Sequence, residues 1–305
     1  SHEIMGGVIG LRDGAEQLPI YLSRPSLGSL LRNRPRHVLV GGWDHPEFVW
    51  AALFSRALGS RMSLWCESFQ RAASPTALDA IKQRLVGMCD SFLVPGAAAA
   101  HYLESFGAAD DMIFQAPNSV DVAFFAAAGS DQRRHLLLVS RLTRSKGVDV
   151  ALRAVARQPG LPPLVIAGHG PEEAALRALS AELGVEARFL GHVEREPLRE
   201  LYASARALVF PTLYDPWGLV VNEALAAGTP VVVSDGAGCA ESIVEPGVNG
   251  EVVPAGDVEA LRSALLAVLD PARQPALQEG ARRTGARYTP ERCAEGFLQL
   301  IGRGG

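Results

Sequence analysis

Short runs of Val, Leu and Ile alternate with Ala-rich segments of helical period through most of this chain. Continuous apolar runs are typical of strands that are buried on both faces, and such strands occur in parallel sheets that helices cover on either side. The alternation therefore predicts an α/β protein.

Two groups of strands follow from this pattern. The first group of strands is predicted at 37–41, 62–65, 92–94 and 112–115, with helices at 46–58, 75–88 and 97–106. The second group of strands is predicted at 135–140, 164–168, 187–191, 207–211, 230–234 and 250–253, with helices between the strands. This series makes a complete Rossmann-like half. A last helix at 290–301 has one apolar face and is expected to pack on another element.

The length of 305 residues allows two domains, because single domains cluster near about 100 to 200 residues. The small and polar stretch 126–134 is predicted to link them. We therefore expect a Rossmann-like N-terminal domain over 1–126 and a Rossmann-like C-terminal domain over 127–287. The helix within 288–305 is expected to pack back on the first domain.

The composition is that of an ordinary globular protein, with 48% hydrophobic and 20% charged residues. A net charge of −4 argues against nucleic acid as the main partner, so an anionic ligand must be met by locally placed cations. No apolar run approaches the roughly 18 residues of a spanning helix, and the N-terminus lacks a signal pattern. A transmembrane segment is therefore not expected, whereas peripheral membrane contact stays open. The cysteines form no CxxC pair, which favours reduced thiols in a cytoplasmic protein.

The stretch 215–235, DPWGLVVNEALAAGTPVVVSD, places Asp215 and Glu223 across the start of one predicted helix. Gly218 and the two residues before it break the preceding strand, and the free amides and dipole at the helix start favour a phosphate. From Gly218 to Glu223 the helix advances about 7.5 Å, so an anion there has a hydroxyl-binding carboxylate on either side. For an isolated pair of acids, an acidic first turn and a solvated Glu would be the better interpretation; the neighbouring motifs decide against it.

A second motif, VSRLTRSKG at 139–147, puts Arg141 just beyond a strand and Lys146 just before a helix. Ligands bind at strand ends in doubly wound sheets, and an Arg fork with a Lys point charge suits a diphosphate. Alone, two cations in a loop are more often solvated. The glycine turn AGHGP at 167–171 is weaker, because tight turns need glycine with or without a ligand, and its His169 fits a turn residue better than a catalyst.

Together and in this order, these motifs closely resemble the family 4 glycosyltransferases of the GT-B fold, in which two Rossmann-like domains face a central cleft. The family has two Glu residues separated by seven others, and here Asp215 and Glu223 stand at those places. The resemblance implies that Arg141 and Lys146 bind the donor diphosphate, that Glu223 holds the ribose hydroxyls and that Asp215 holds hydroxyls of the transferred sugar.

The resemblance also gives the C-terminal domain a nucleotide-sugar-binding role, in which backbone amides face the phosphates and a strand end receives the base. It extends the donor site to Gly168, His169, Gly170, His192, Val193, Trp217, Gly218 and Leu219. The segment PNSVD at 117–121 resembles the motif that closes the family's N-terminal domain, with Ser119 in place of Gly.

The N-terminal domain is expected to be the acceptor side. His45 and Glu67 follow predicted strands, and Arg71 lies on the segment after Glu67, where it would meet an anionic acceptor. A helix cap or turn acid is an equal or better interpretation of the first two, and a solvated helix face of the third. The family usually opens with a strand, a glycine-rich loop and a helix that this sequence does not match, so the first domain looks shortened.

The implied activity is a retaining transfer of a hexose-type sugar from a nucleotide diphosphate sugar to an acceptor hydroxyl, in polysaccharide, glycolipid or glycosylated-metabolite biosynthesis. Its catalytic residues would be Arg141, Lys146, Asp215 and Glu67, with no metal and no cofactor beyond the donor as co-substrate. A nucleotide-sugar epimerase and a non-catalytic nucleotide-sugar-binding subunit remain alternatives. The sequence leaves the base, the sugar, the acceptor and the oligomeric state open.

Overall fold

A computed structural model of the chain describes residues 7–13, 16–22, 35–43, 46–69, 77–128, 132–156, 158 and 160–302. The chain divides into an N-terminal unit, Ser1–Ala116 with Glu295–Gly305, and a C-terminal unit, Pro117–Ala294. The sequence pattern places the boundary ten residues later, at 126, because the polar stretch begins there. Helix α4 (Val122–Ala126) belongs to the C-terminal unit because it packs on two helices of that unit.

The N-terminal unit contains a four-stranded parallel sheet. Its strands, in spatial order, are β3 (His37–Val40), β4 (Arg61–Trp65), β5 (Ser91–Val94) and β6 (Ile113–Gln115). Between these strands, the described residues form helices α1 (Pro46–Ala57), α2 (Ala77–Val86) and α3 (Ala97–Glu104). An antiparallel hairpin of β1 (Gly7–Asp13) and β2 (Glu16–Leu22) precedes them and was not predicted.

The C-terminal unit contains a six-stranded sheet whose strands are all parallel. In chain order they are β7 (His135–Val139), β8 (Leu164–Ala167), β9 (Ala187–Gly191), β10 (Ala205–Phe210), β11 (Val231–Ser234) and β12 (Gly250–Val253). In space they run β12-β11-β10-β7-β8-β9. The chain thus winds outward from β7 in one direction and from β10 in the other, which is the doubly wound order with its switch point between these two strands.

Helices flank this second sheet; most of them connect successive strands, and the last two follow β12. They are α5 (Val148–Val155), α6 (Glu173–Leu183), α7 (Arg195–Ala203), α8 (Leu219–Ala226), α9 (Ala240–Ile243), α10 (Val258–Leu269) and α11 (Gln274–Gly285). Two apolar clusters cover opposite faces of the central strands, so that Leu137 packs in one cluster and Leu136 and Leu138 in the other, all with no exposed surface. The strands read as continuous apolar runs for this reason.

The last helix, α12 (Pro290–Gly302), begins in the C-terminal unit and continues into the N-terminal unit. Its Phe297 ring packs on Trp65 of β4, with ring centroids 5.0 Å apart. Among the described residues, no helix combines the length and the apolarity needed to cross a bilayer. The two parallel sheets confirm the predicted α/β fold class.

Candidate functional site

The switch point of the C-terminal sheet brings two loops together. The loop after β7 carries Arg141 and Lys146, and the loop after β10 carries Asp215. Because β7 and β10 are neighbours whose connections leave in opposite directions, the crevice expected at the switch point of a doubly wound sheet falls between these two loops. Residues that the sequence places 69 positions apart therefore meet at one edge of the sheet.

The carbonyl oxygen of Ser145 joins the two loops. It accepts hydrogen bonds from the Thr212 hydroxyl at 2.9 Å, from the Leu213 amide at 2.7 Å and from the Tyr214 amide at 3.2 Å. Gly147 allows this approach, since a Cβ there would lie 2.1 Å from the carbonyl oxygen of Pro211. The backbone around Lys146 is consequently fixed against the backbone around Asp215.

Lys146 and Asp215 form an ion pair in the crevice, with 2.6 Å between Nζ and Oδ2 and side chains that are 18% and 20% exposed. The other carboxylate oxygen of Asp215, Oδ1, accepts from the Trp217 amide at 3.1 Å. Both carboxylate oxygens thus have protein partners. A diphosphate that binds the ammonium of Lys146 must share that ammonium with Asp215. A sugar hydroxyl that binds the carboxylate of Asp215 must share it with Lys146 and the Trp217 amide.

Helix α8 begins directly after this pair. Gly218 precedes it with φ of +99°, and a Cβ there would lie 2.6 Å from Cε1 of Phe210. The first turn closes with the Val221 amide donating to the Gly218 carbonyl at 2.9 Å. Since the Trp217 amide is bonded to Asp215, the amides that remain for an anion among the predicted ones are those of Gly218 and Leu219.

A buried amide side chain braces the start of this helix. Asn222 has no exposed surface; its Oδ1 accepts from the Trp217 indole at 2.9 Å, and its Nδ2 donates to the Asn118 carbonyl at 2.9 Å. Trp217 is itself only 3% exposed. Asn222 therefore ties the loop after β10 to the first residues of the C-terminal unit.

Replacing Asn222 by Ala is expected to destabilise the protein by about 2 to 3 kcal/mol, because a buried indole donor and a buried carbonyl lose their partner. Urea unfolding followed by tryptophan fluorescence measures the change. The control is Gln278→Ala, which removes an amide at a less buried position, hydrogen-bonded to Gln274. Equal, small effects of the two variants would contradict a bracing role for Asn222.

Glu223, one turn into α8, is partly buried and accepts a hydrogen bond from the Tyr202 hydroxyl at 2.6 Å from Oε2. Burial raises the pKa of the Glu223 carboxyl, while the Tyr202 hydrogen bond and the positive charge of Arg195 oppose that rise. Burial also raises the pKa of Tyr202 well above its ordinary value, and the neighbouring Glu223 charge adds to it. The phenol is therefore the donor and the carboxylate the acceptor.

The glycine turn after β8 lies against the loop after β7. The Leu142 amide donates to the His169 carbonyl at 3.0 Å, and the Gly168 amide donates to the Gly191 carbonyl at the end of β9 at 2.7 Å. The ring of His169 lies 6.2 Å from that of His192, centroid to centroid. The predicted residues of three successive loops, after β7, β8 and β9, are thus adjacent, and Arg141 is exposed at this edge.

Of the three candidates for the acceptor side, the structure describes Glu67, in the N-terminal unit. Glu67 follows β4, and its Oε1 accepts from the Trp65 indole at 3.3 Å. His45 and Arg71 lie outside the described residues. Within the described part of the chain, no group of three His, Cys, Asp or Glu side chains is placed to hold a metal ion.

The sequence motifs do not single out Ser145, Asn222 or Tyr202. An Asn within the apolar run LVVNEALA is a signal that was available, because a polar residue on a buried helix face needs partners. Ser145 acts through its backbone carbonyl, which no residue type encodes. Tyr202 is 21 positions from Glu223 and on another helix, so no local spacing connects them.

Most of the C-terminal unit matches a known protein family. Residues 122–284 match the family described as "Glycosyl transferases group 1". A glycogen synthase of Mycobacterium tuberculosis is 35% identical over 223 residues, which are 70% of this chain and 53% of that protein. A D-inositol 3-phosphate glycosyltransferase of Acidothermus cellulolyticus is 32% identical over 225 residues, 66% of this chain and 50% of that protein. The chain spans about half the length of these curated relatives.

Solved structures share the fold. HepE of Anabaena in complex with UDP has a TM-score of 0.77 at 15% identity, with 92% of this chain and 82% of that chain covered. Sucrose-phosphate synthase of Thermosynechococcus elongatus has a TM-score of 0.74 at 23% identity, with 90% of this chain and 75% of that chain covered. At these identities the likeness establishes the fold and leaves the ligands to be argued from the site.

Proposed function

We propose, from the premise that this chain belongs to the group 1 glycosyl transferases and has the GT-B fold, that it transfers a sugar from a nucleotide diphosphate sugar to an acceptor hydroxyl. The observation that carries this proposal is the pairing of Lys146 with Asp215 at the sheet's switch point, directly before the glycine-led start of α8. A cation, free helix amides and carboxylates within one crevice match the chemistry of a diphosphate that carries hydroxylated sugars on both ends.

Lys146 and Arg141 are proposed to bind the diphosphate. Negative charge builds on the leaving diphosphate as the bond to the sugar breaks, and cations fixed where that charge develops stabilise the transition state more than the bound substrate. Lys146 is well suited to this role because its ammonium is already held by the protein, so little reorganisation accompanies the reaction. Arg141, which is exposed, offers a second cation on the same loop.

Asp215 and Glu223 are proposed to bind hydroxyls on either side of the diphosphate: Asp215 those of the transferred sugar, and Glu223 those of the ribose. Asp215 holds Lys146 and the Trp217 amide at the same time, so it also sets the geometry of the cation. Asp is one methylene shorter than the Glu of the family pattern, and this shortness is compatible with the direct 2.6 Å contact to Lys146.

The proposed mechanism retains the configuration of the sugar, as in the family 4 enzymes that the motifs resemble. In such a reaction the acceptor hydroxyl attacks from the side that the diphosphate leaves. The bond from the sugar carbon to the phosphate oxygen breaks, the bond from that carbon to the acceptor oxygen forms, and the departing phosphate oxygen takes the acceptor proton. The role of the chain's own residues is to hold the diphosphate and stabilise its charge.

The direct test is a screen of UDP-, GDP-, ADP- and dTDP-sugars for a rise in melting temperature, because a ligand that binds only the native state stabilises it by mass action. We expect one nucleotide class to raise the melting temperature in a concentration-dependent way, and free sugars to have no effect. The stabilising donor is then incubated with candidate hydroxyl acceptors, and the anomeric configuration of the product is read by NMR.

The outcomes of this screen separate the alternatives. Conversion of the donor to its epimer without an acceptor would support a nucleotide-sugar epimerase. Saturable binding of a donor with no hydrolysis or transfer over a broad acceptor panel would support a binding subunit. No stabilisation by any of the four classes would contradict the proposed function.

A further inference from the structure

We propose that Tyr202 is a positioning residue of the donor site, whose hydroxyl holds the Glu223 carboxylate in the orientation that receives the ribose hydroxyls of the nucleotide. This role rests on the proposed function, because it names how one residue of that site is set. It adds a residue of α7 that the sequence motifs do not include.

The contact itself is specific. The Tyr202 ring and hydroxyl have no exposed surface, and the hydroxyl donates to Glu223 Oε2 at 2.6 Å. Glu223 retains some exposure. A phenol has one proton to donate, so it fixes one carboxylate oxygen and leaves the other for ligand hydroxyls. Hydrogen bonds to an ionised acceptor are roughly twice as strong as neutral ones, which suits a contact that must resist reorientation.

Tyr202 is also held at its other end. Its ring packs edge-on against Phe125, with centroids 5.8 Å apart and planes at 82°. Its backbone carbonyl accepts from the Thr229 hydroxyl at 2.6 Å, and that hydroxyl accepts from Arg133 at 2.6 Å. These contacts fix the position of the Tyr202 phenol, so the Glu223 carboxylate that it holds is already oriented before the ligand binds.

The charge of Glu223 makes this role measurable. A carboxylate accepts hydroxyl protons best when it is ionised, and burial works against ionisation by raising its pKa. The Tyr202 hydroxyl and the Arg195 guanidinium favour the ionised form, and Arg195 is shared with Asp121 at 3.1 Å. Ribose binding should therefore be complete above the Glu223 pKa and decline as the pH falls through it. Loss of the phenol moves that decline to higher pH.

The experiment combines a protein change with a ligand change. Calorimetry first finds which of UDP, GDP, ADP and dTDP binds the wild-type protein. That nucleotide and its 2′,3′-dideoxy analogue are then titrated into wild type and Tyr202→Phe over a range of pH. We expect Tyr202→Phe to weaken the ribonucleotide about tenfold and the dideoxy analogue little, and to shift the acidic decline of ribonucleotide affinity upward.

The matched control is Tyr288→Phe, which removes a phenol that donates to the Ser242 carbonyl at 2.9 Å, and it should leave both affinities unchanged. A second variant, Glu223→Gln, should lose ribonucleotide affinity in the same selective way, and adding Tyr202→Phe to it should not deepen the loss. An unchanged affinity in Tyr202→Phe, or equal losses for both nucleotides, would overturn the positioning role. Binding of dTDP but not of UDP, GDP or ADP would also overturn it, because dTDP lacks the 2′-hydroxyl. Failure of wild type to bind any of these four nucleotides would instead contradict the proposed function.

Discussion

Replacing Lys146 by Ala is expected to lower kcat/KM for the donor by about 100-fold or more, the usual effect of removing one fixed group that stabilises developing charge. Lys146 is the cation that the structure holds in the crevice, through its 2.6 Å contact with Asp215. The variant removes positive charge where the diphosphate would leave, and it also frees Asp215 to repel that diphosphate. Initial rates at several donor concentrations, with direct nucleotide titration, measure the effect.

The matched control is Arg144→Ala. Arg144 lies two residues earlier in the same turn, is exposed, and contributes the same formal charge. A general electrostatic attraction for the donor would be lost equally in both variants, whereas a specific site loses activity only with Lys146. Activity of Lys146→Ala within a few-fold of wild type, with its melting temperature preserved, would show that the diphosphate binds elsewhere.

The central strands could be predicted from the sequence because their environment leaves little choice. Strand β7 is covered on both faces, so every one of its residues from Leu136 to Leu138 is apolar, and the run itself predicts a buried parallel strand. The β1–β2 hairpin was missed, although Asp13-Gly14 is a sequence that favours tight turns between strands.

The domain boundary shows a different limit. A small, polar stretch suggests a linker, and 126–134 has that composition. The structure places the division between Ala116 and Pro117 instead. Helix α4 follows the division, and its Phe125 is buried against Tyr202. Composition shows where a chain is polar. The boundary between the two units depends instead on which residues the apolar side chains pack against.

Within the site, the sequence identified the charged residues and not what holds them. Lys146 and Asp215 were predicted to share one anion pocket, and the structure brings them into contact. That Asp215 has both oxygens engaged depends on the three-dimensional course of two loops. The hydrogen bonds that the Ser145 carbonyl accepts, and the one that the Tyr202 phenol donates to Glu223, depend on the three-dimensional fold in the same way. The binding roles proposed for Lys146 and Glu223 are predictions that Lys146→Ala and Glu223→Gln test.

Replacing Gly168 by Ala is expected to lower the melting temperature by roughly 6 to 12 °C, corresponding to about 3 kcal/mol. Gly168 has φ of +134°, a conformation that side chains other than glycine rarely adopt. A Cβ there would lie 1.8 Å from the backbone carbonyl oxygen of Ser140, so the loops after β7 and β8 would have to separate. Because Arg141 follows Ser140 directly, we expect donor affinity to fall as well.

The comparison that isolates this close approach is Gly184→Ala. Gly184 ends α6 with φ of +66°, and a Cβ there meets nothing within 4 Å. This variant carries the backbone strain alone, about 1 kcal/mol or a fall of roughly 2 to 4 °C, and should leave donor affinity unchanged. Similar falls for the two variants, or full donor affinity in Gly168→Ala, would mean that the glycine turn does not determine where the diphosphate loop lies. A large difference would make AGHGP a packing requirement of the site even if no ligand touches it.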